Sequence, residues 1–203
     1  GDARRSEIQR ETKDLRLEDL IVDEEMVVTV SHTGYIKRNP ISLYRTQRRG
    51  GRGKVGMGTK EEDFVSMLFI ASMHAYIMFF TDLGKVYWLK VHELPEAGRA
   101  SKGRAIVNLL SLAPGESVAT ILPVREFAEG KCVVMATEQG VIKKTELMEY
   151  SRPRAGGIIA IGMNEGDRLI ATAITTGQDE VFLSTRQGMS IRFHEGDVRP
   201  MGR

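Results

Sequence analysis

A fourfold repeat constrains the fold of this chain more than any other feature of its sequence. Each copy has a short β-branched or aromatic run, then Ser/Thr-x-x-Gly, then a second short run of apolar and basic residues. The copies are VVTV-SHTG-YIKR at 27–38, IMFF-TDLG-KVYW at 77–88, VVMA-TEQG-VIKK at 133–144 and VFLS-TRQG-MSIR at 181–192. Each copy predicts a β-hairpin, because glycine supplies the positive φ that such a turn needs at little steric cost.

Two further elements keep phase with these hairpins. A basic residue lies 17 or 18 positions after the first turn residue of each copy, in a Gly-containing basic stretch; these residues are Arg49, Arg99, Arg154 and Arg203. An acidic turn then precedes an apolar strand in the first three copies, at 61–70, 115–124 and 166–175. Several short strands in each period of about 50 residues predict a radial all-β array. Two unrelated β-sandwiches that share hairpin turns are the structural alternative.

The copies also set the expected domain organisation. Residues 1–19 are dense in charge of both signs and are interpreted as a lead-in from an upstream domain, outside the globule. Residues 20–203 form the array, with blades at roughly 20–66, 67–118, 119–166 and 167–203. The last copy lacks an acidic turn and a closing strand, so we expect the array to continue downstream. Little helix is expected, and 67–80 favours two strands over a buried helix.

Composition excludes several classes of protein. The longest apolar run, 75–80, is far shorter than the roughly 20 residues that a membrane-spanning helix needs, and no signal peptide precedes it. One cysteine, Cys132, excludes an internal disulfide and is interpreted as a small core residue. The four histidines show no metal-ligand spacing, and no catalytic constellation is present. These features favour a soluble protein of a reducing compartment without a catalytic site or a bound metal.

A local asymmetry of charge points to a binding function. The whole chain has a net charge of only +2, yet residues 26–60 contain eight basic residues and no acidic residue. The densest part is the octapeptide Gln47, Arg48, Arg49, Gly50, Gly51, Arg52, Gly53 and Lys54. Arginine forks and lysine ammonium groups suit phosphate oxygens, and the glycines let the backbone approach a phosphodiester closely. Because no aromatic residue interrupts the octapeptide, stacking on single strands is disfavoured, and backbone contact with duplex nucleic acid is predicted.

Further basic residues recur at matching phases of the repeats. The candidate set beyond the octapeptide is Lys37, Arg38, Arg45, Arg99, Lys102, Arg104, Lys143, Lys144, Arg152 and Arg154. In a radial array, matching phases place residues on the same edge or face, so a basic track along the rim is predicted. The alternative interpretation is a solvated Gly/Arg loop. Residues 51–56 match the dinucleotide pattern G-x-G-x-x-G, but no helix follows them and no βαβ unit surrounds them.

QRRGGRGK at 47–54, after the VVTVSHTGYIKR strand pair, resembles the GyrA box found in the A subunits of DNA gyrase. DARRSEI and LEDLIVDEE near the N-terminus are similar to the segment that precedes the C-terminal domain in that family. The resemblance covers 2–203 and implies a β-pinwheel: a propeller-like array of four-stranded antiparallel blades that exchange strands, here about four blades and truncated. It implies a non-catalytic domain that wraps duplex DNA, with the octapeptide required for wrapping.

The resemblance also implies partners and a setting. The domain would act in a bacterial, cytoplasmic, nucleoid-associated holoenzyme of two A and two B subunits that introduces negative supercoils. ATP and Mg²⁺ would be used elsewhere in that holoenzyme, with no cofactor in this fragment and no membrane contact. The corresponding domain of topoisomerase IV is one alternative, which the intact octapeptide disfavours. A propeller that serves as a protein-interaction scaffold is the other.

Overall fold

A computed structural model describes residues 17–44, 56–58 and 63–203 of the chain. The described part is built from antiparallel β-strands and short 3-10 helices. Its strands are β1 (Glu25–Ser31), β2 (Tyr35–Pro40), β3 (Val65–Ser72), β4 (Tyr76–Thr81), β5 (Lys85–Lys90), β6 (Arg104–Ala105), β7 (Val118–Val124), β8 (Cys132–Thr137), β9 (Ile142–Glu146), β10 (Ile158–Ile159), β11 (Leu169–Thr175), β12 (Glu180–Ser184) and β13 (Ser190–His194).

The 3-10 helices of the described part are only three or four residues long. They are Leu17–Leu20, Ile41–Leu43, Val91–Glu93, Ile106–Asn108, Leu147–Tyr150 and Glu195–Asp197. The all-β class predicted from the repeats is therefore confirmed. Residues 67–80 form parts of β3 and β4, as the sequence favoured.

Each predicted hairpin is present as a strand pair, and four sheets form around these pairs. The strand orders are β3-β1-β2-β6, β10-β5-β4-β7, β11-β8-β9 and β12-β13. The described part of the chain thus completes four-stranded sheets around the first and second hairpins. It gives the third hairpin one additional strand and the fourth hairpin none.

Neighbouring sheets exchange strands. The short strand β6 follows the second hairpin in the chain, but it pairs with Tyr35 and Ile36 of β2 in the first sheet. In the same way, β10 follows the third hairpin and pairs with β5 in the second sheet. Gly103 precedes β6 with φ +80°, and a Cβ there would lie only 2.7 Å from the Cβ of Lys37. Glycine at this position therefore permits close contact between the exchanged strand and β2.

The sheets also correct the predicted blade boundaries. Those boundaries place the closing strands β3, β7 and β11 in the blade that follows each one. The structure pairs β3 with β1, β7 with β4 and β11 with β8, so each closing strand completes the sheet of its own hairpin. The physical reason is the hydrogen bonding of the inner hairpin strand, which would otherwise keep an unpaired edge.

The predicted lead-in also differs at its end. Glu18, in the 3-10 helix Leu17–Leu20, forms an ion pair with Lys90 of β5, and its Oε1 lies 3.3 Å from Nδ1 of His74. Opposite charge therefore attaches the last residues of the lead-in to the second sheet. Residues 1–16 of the lead-in lie outside the described residues.

The core explains the apolar run at 75–80. Strand β4 alternates its side chains between two clusters, with Ile77 and Phe79 in one and Met78 and Phe80 in the other, all 0% exposed. The first cluster joins the first and second sheets, and the second cluster joins the second and third sheets. A strand buried on both faces needs apolar residues at every position, which explains this continuous run.

Acidic residues hold the hairpin turns. In the second sheet, Thr81 Oγ1 donates to Glu116 Oε1 at 2.7 Å, and Tyr87 Oη donates to Glu116 Oε2 at 3.0 Å. In the first sheet, the backbone N–H and the hydroxyl of Thr33 donate to Asp63 at 2.9 and 2.6 Å. In the third, the N–H of Gln139 donates to Asp167 at 3.0 Å. In each of the first three repeats, the acidic turn therefore binds the hairpin turn of the same repeat.

These contacts lower the pKa values of the acidic groups. Burial raises the pKa of the Asp63 carboxyl, but hydrogen bonds from Thr33 and Phe64 outweigh burial and hold the pKa at about 2. The pKa of Glu116 is likewise lowered, because the hydrogen bonds from Ala113, Thr81 and Tyr87 outweigh its burial. Both carboxylates thus bind protons more weakly in the folded state than in the unfolded state.

The sign of these shifts predicts acid destabilisation. A folded-state pKa below the unfolded value means that stability is present above about pH 4.5 and is lost as the pH falls through the folded-state pKa. The thermal midpoint should therefore fall steadily between pH 5 and pH 2, as calorimetry would measure. In Glu116→Gln the midpoint at pH 7 should be lower and its pH dependence flatter. A midpoint that holds constant down to about pH 2 would contradict this role of the carboxylates.

Candidate nucleic-acid interface

The octapeptide predicted to carry the interface lies outside the described residues, as does Arg45. The structure therefore gives no positions for the candidates Gln47, Arg48, Arg49, Gly50, Gly51, Arg52, Gly53 and Lys54. The described residues on either side of it are Tyr44 and the tripeptide 56–58. Their contacts are the structural information nearest to the octapeptide.

The flank after the octapeptide contacts the second basic stretch, residues 97–104, directly, and the flank before it reaches this stretch through Asn39. Before the octapeptide, Tyr44 Oη donates to Asn39 Oδ1 at 3.4 Å, and the Asn39 amide in turn donates to the carbonyl of Ala97. After it, the N–H of Gly58 lies 3.4 Å from the carbonyl of Ser101, and Met57 is buried. A Cβ on residue 58 would collide with the carbonyl of Ala100. These contacts connect Tyr44 and Gly58 to the second basic stretch.

The structure corrects the prediction for Lys37 and Arg38. Lys37 is 0% exposed, and its Nζ donates to the carbonyls of Gly98 and Arg99 at 3.0 and 2.5 Å. Arg38 donates from Nε to the carbonyl of Leu94 at 2.9 Å and forms an ion pair with Glu96 at 3.0 Å. Neither cation is available to a duplex, because the exchanged segment 94–99 covers both.

The structure also corrects the prediction for Lys144. This residue is buried, and its Nζ donates to the carbonyl of Glu195 at 2.5 Å and lies 3.9 Å from the carboxylate of the same residue. Lys143 is half-buried, and its Nζ donates to the carbonyl of Ala160 at 3.0 Å. Both lysines of β9 therefore hold neighbouring segments of the chain, and only Lys143 retains some exposure.

The other five described candidates keep exposed surface. Arg104, Arg152 and Arg154 are exposed, whereas Arg99 and Lys102 are half-buried. The Lys102 ammonium lies 5.8 Å from the ring centroid of Tyr35. None of these five forms an ion pair with another described residue, so their charge is available for a polyanion.

The basic stretches hold equivalent places in the fold. Glu96 forms an isolated parallel β-bridge with Arg38, and Pro200 forms one with Lys144. In both cases the partner belongs to the preceding sheet. Arg99 and Arg203 each lie three residues after such a bridge. These two residues, which occupy the same position in the sequence repeat, therefore also occupy equivalent positions in the fold. Between them, the segment that ends in β10 docks on the second sheet, where Gly157 contacts the ring of Tyr87.

The third and fourth basic stretches converge on one cavity. It has a volume of about 350 Å³ and is lined by Met148, Glu149, Ser151, Arg152, Arg154 and Arg203. Arg203 Nε lies 3.6 Å from Glu149 Oε2, so one of the three guanidinium groups is partly neutralised. The remaining positive charge faces solvent at the junction of the third and fourth sheets.

Sequence reasoning missed the structural use of charge in this protein. Glu195 is 0% exposed and accepts hydrogen bonds from Thr175, Gly177 and Asp179. The only available signal was its alignment with Val91 and Leu147, the first residues of the matching 3-10 helices in the two preceding repeats. An acidic residue at such an apolar position indicates a buried partner, which is Lys144.

One family of known proteins matches all four repeats of this chain. The family model described as "DNA gyrase C-terminal domain, beta-propeller" matches residues 25–72, 75–125, 133–176 and 179–203, one segment for each repeat. The chain belongs to this family. The resemblance to the DNA gyrase A family and the all-β fold that it implied are thus confirmed together.

Relatives of this gyrase domain are similar over its whole length. The chain is 52% identical to the DNA gyrase A protein of Klebsiella oxytoca over 203 residues and 50% identical to that of Escherichia coli (strain K12) over 202 residues. The Clostridium acetobutylicum protein is 47% identical over 203 residues. In these three comparisons the chain spans 23–24% of the relative, or about a quarter of its length.

Solved structures agree with the gyrase-domain fold. The C-terminal domain of DNA topoisomerase IV superposes with a TM-score of 0.76 at 26% identity, covering 90% of this chain and 55% of the other. A DNA gyrase A C-terminal domain superposes with a TM-score of 0.67 at 23% identity, covering 89% and 58%, which supports the fold alone. Among the described residues, no helix is long and apolar enough to cross a membrane.

Proposed function

We propose that this chain is a DNA-wrapping domain: it binds duplex DNA without sequence preference and bends it along the edge that carries the exchanged segments. The carrying observation is the repeated docking of a basic stretch on the preceding sheet, at 97–104, 151–157 and 199–203. A duplex that follows successive sheets would meet arginine or lysine at each junction. Phosphate contacts of this kind position DNA without reading bases.

The energetics favour many contacts over one. Smooth bending of roughly 20–30 base pairs by 40–90° costs on the order of 1–6 kcal/mol, which a single cluster of cations is hard pressed to supply. Each neutralised phosphate releases counterions, so several contacts spaced along an edge together hold the bend. The octapeptide, which lies between Tyr44 and Gly56 in the sequence, would add four further basic residues to these contacts.

In the longer protein, this domain would serve a type IIA topoisomerase. We infer a bacterial, cytoplasmic, nucleoid-associated holoenzyme of two A and two B subunits, in which ATP and Mg²⁺ act outside this domain. A wrap of one handedness would present a neighbouring DNA segment to the cleavage core. Strand passage there would then introduce negative supercoils at the expense of ATP, with no catalytic residue contributed by this chain.

Salt-dependent binding tests the proposal. In fluorescence anisotropy, the chain should bind duplexes of unrelated sequence with similar Kd, and log Kd should rise linearly with log salt. Replacing 48–54 by alanine and glycine removes four basic residues and should reduce that slope by up to about 3.6, at about 0.9 per contact. A chain that serves only as a protein scaffold would not bind linear duplex even at low salt, and this result would refute the proposal.

A further inference from the structure

Three consecutive side chains of β2 hold the carbonyl groups of one segment. Lys37 Nζ donates to the carbonyls of Gly98 and Arg99, and the Asn39 amide donates to the carbonyl of Ala97. Between them, Arg38 Nε donates to Leu94. The carbonyls of residues 97, 98 and 99 therefore all point toward β2.

The orientation of these carbonyls fixes the orientation of the amide groups. The described residues contain no cis peptide bond, and in a trans peptide the N–H points opposite to the C=O. The N–H groups of Gly98, Arg99 and Ala100 thus point away from β2. None of the three donates a hydrogen bond to a described residue, and Gly98 and Ala100 are exposed. Successive backbone N–H groups that point one way form a concave site for an anion.

A cationic side chain accompanies these amides. Arg99 is half-buried, and its Nε is a buried atom without a hydrogen-bond partner among the described residues. The nearest acidic residue in sequence, Glu96, is already in an ion pair with Arg38. The amides of residues 98–100 have no acceptor among the described residues, and Arg99 keeps part of its surface exposed without an ion pair to any of them, so an anion can contact both.

Burial of the Lys37 charge costs more free energy than a purely structural residue at this position would need to. Its ammonium is fully buried and has no carboxylate partner among the described residues, and burying a cation without a counter-charge is unfavourable. The equivalent position in the second repeat is Tyr87, which also packs against a glycine of an exchanged segment, Gly157. An uncharged side chain can therefore fill this place in the fold.

We propose that the backbone N–H groups of residues 98–100, together with Arg99, bind a phosphate of duplex DNA, and that Lys37 is the positioning residue of this site. The site rests on the proposed function, since it names one phosphate contact of the wrapped duplex. Lys37 never touches the DNA. It holds the carbonyls inward so that the amides face outward, and its buried charge adds to the positive potential there.

A double-mutant cycle tests this role, with a labelled random-sequence duplex of about 30 base pairs as the probe and anisotropy between about 50 and 200 mM salt as the readout. Lys37→Met should raise Kd about tenfold and lower the slope of log Kd against log salt by about 0.9, although residue 37 is inaccessible to DNA. Arg99→Gln should raise Kd and lower the slope to a similar extent. The double variant should bind the duplex no more weakly than either single variant.

Arg104→Gln is the matched control in the same stretch, and its effect should add to that of Lys37→Met. An unchanged slope in a folded Lys37→Met chain, or full additivity with Arg99→Gln, would overturn the positioning role. If Lys37→Met does not fold, amide NMR signals of residues 98–100 in the unaltered chain must shift on titration with duplex, and fixed signals would overturn the site. An unaltered chain that binds no duplex would instead refute the proposed function itself.

Discussion

Replacement of Glu195 by alanine should lower the free energy of unfolding by about 3–5 kcal/mol, because it leaves the buried Lys144 cation without its counter-charge. Glu195 and Lys144 have side chains that are 0% and 6% exposed, respectively. The same replacement removes the acceptor for Thr175 Oγ1 at 2.7 Å and for the N–H groups of Gly177 and Asp179 at 2.6 and 2.9 Å. Urea unfolding followed by circular dichroism measures the loss.

A double variant separates the unpaired charge from lost packing. Glu195→Leu combined with Lys144→Met installs apolar residues where the second repeat has Val91 and Trp88. Removing both charges should recover part of the lost stability, since no buried cation remains unpaired, while Thr175, Gly177 and Asp179 still lack their acceptor. If the double variant were as unstable as Glu195→Ala, the charge pair would not be the cause.

Local patterning made the hairpins predictable. The Ser/Thr-x-x-Gly turns lie where the sequence placed them, with φ of +84° at Gly34 and +86° at both Gly140 and Gly188. Only residues within a few positions of each other decide such a turn, so a single sequence carries the information. The burial of both faces of β4 was similarly visible as an unbroken apolar run.

Strand exchange made the role of the basic residues harder to predict. Lys37, Arg38 and Lys144 have the composition of a polyanion site, yet each is covered by a segment more than 50 residues away in the chain. A one-dimensional pattern cannot distinguish a cation that faces solvent from one that caps distant carbonyls. The blade boundaries were wrong for a related reason, because each closing strand pairs with the hairpin of its own repeat across the whole intervening basic stretch.

The acidic turns were located by sequence, but their role was underestimated. The sequence showed only that an acidic turn precedes each of three apolar strands. In the structure they have a specific role, since Asp63, Glu116 and Asp167 each accept hydrogen bonds from the hairpin turn of their own repeat. The separation of about 30 residues between turn and acid concealed this contact.

Bending of duplex DNA along the basic edge is the central claim, and energy transfer between the labelled ends of a duplex of about 30 base pairs tests it most directly. The unaltered chain should raise the transfer at low salt. Neutralising the five described candidates whose side chains make no ion pair and hold no other segment should return the transfer to that of free duplex without changing the thermal midpoint. These five substitutions are Arg99→Gln, Lys102→Gln, Arg104→Gln, Arg152→Gln and Arg154→Gln.

A control variant removes four exposed charges from outside the basic stretches: Arg125→Gln, Lys131→Gln, Arg168→Gln and Arg186→Gln. This control should still bend the duplex, because bending depends on where the cations lie and less on their number. Full bending by the fivefold variant, or equal loss of bending in the control, would contradict a basic edge that guides DNA from sheet to sheet.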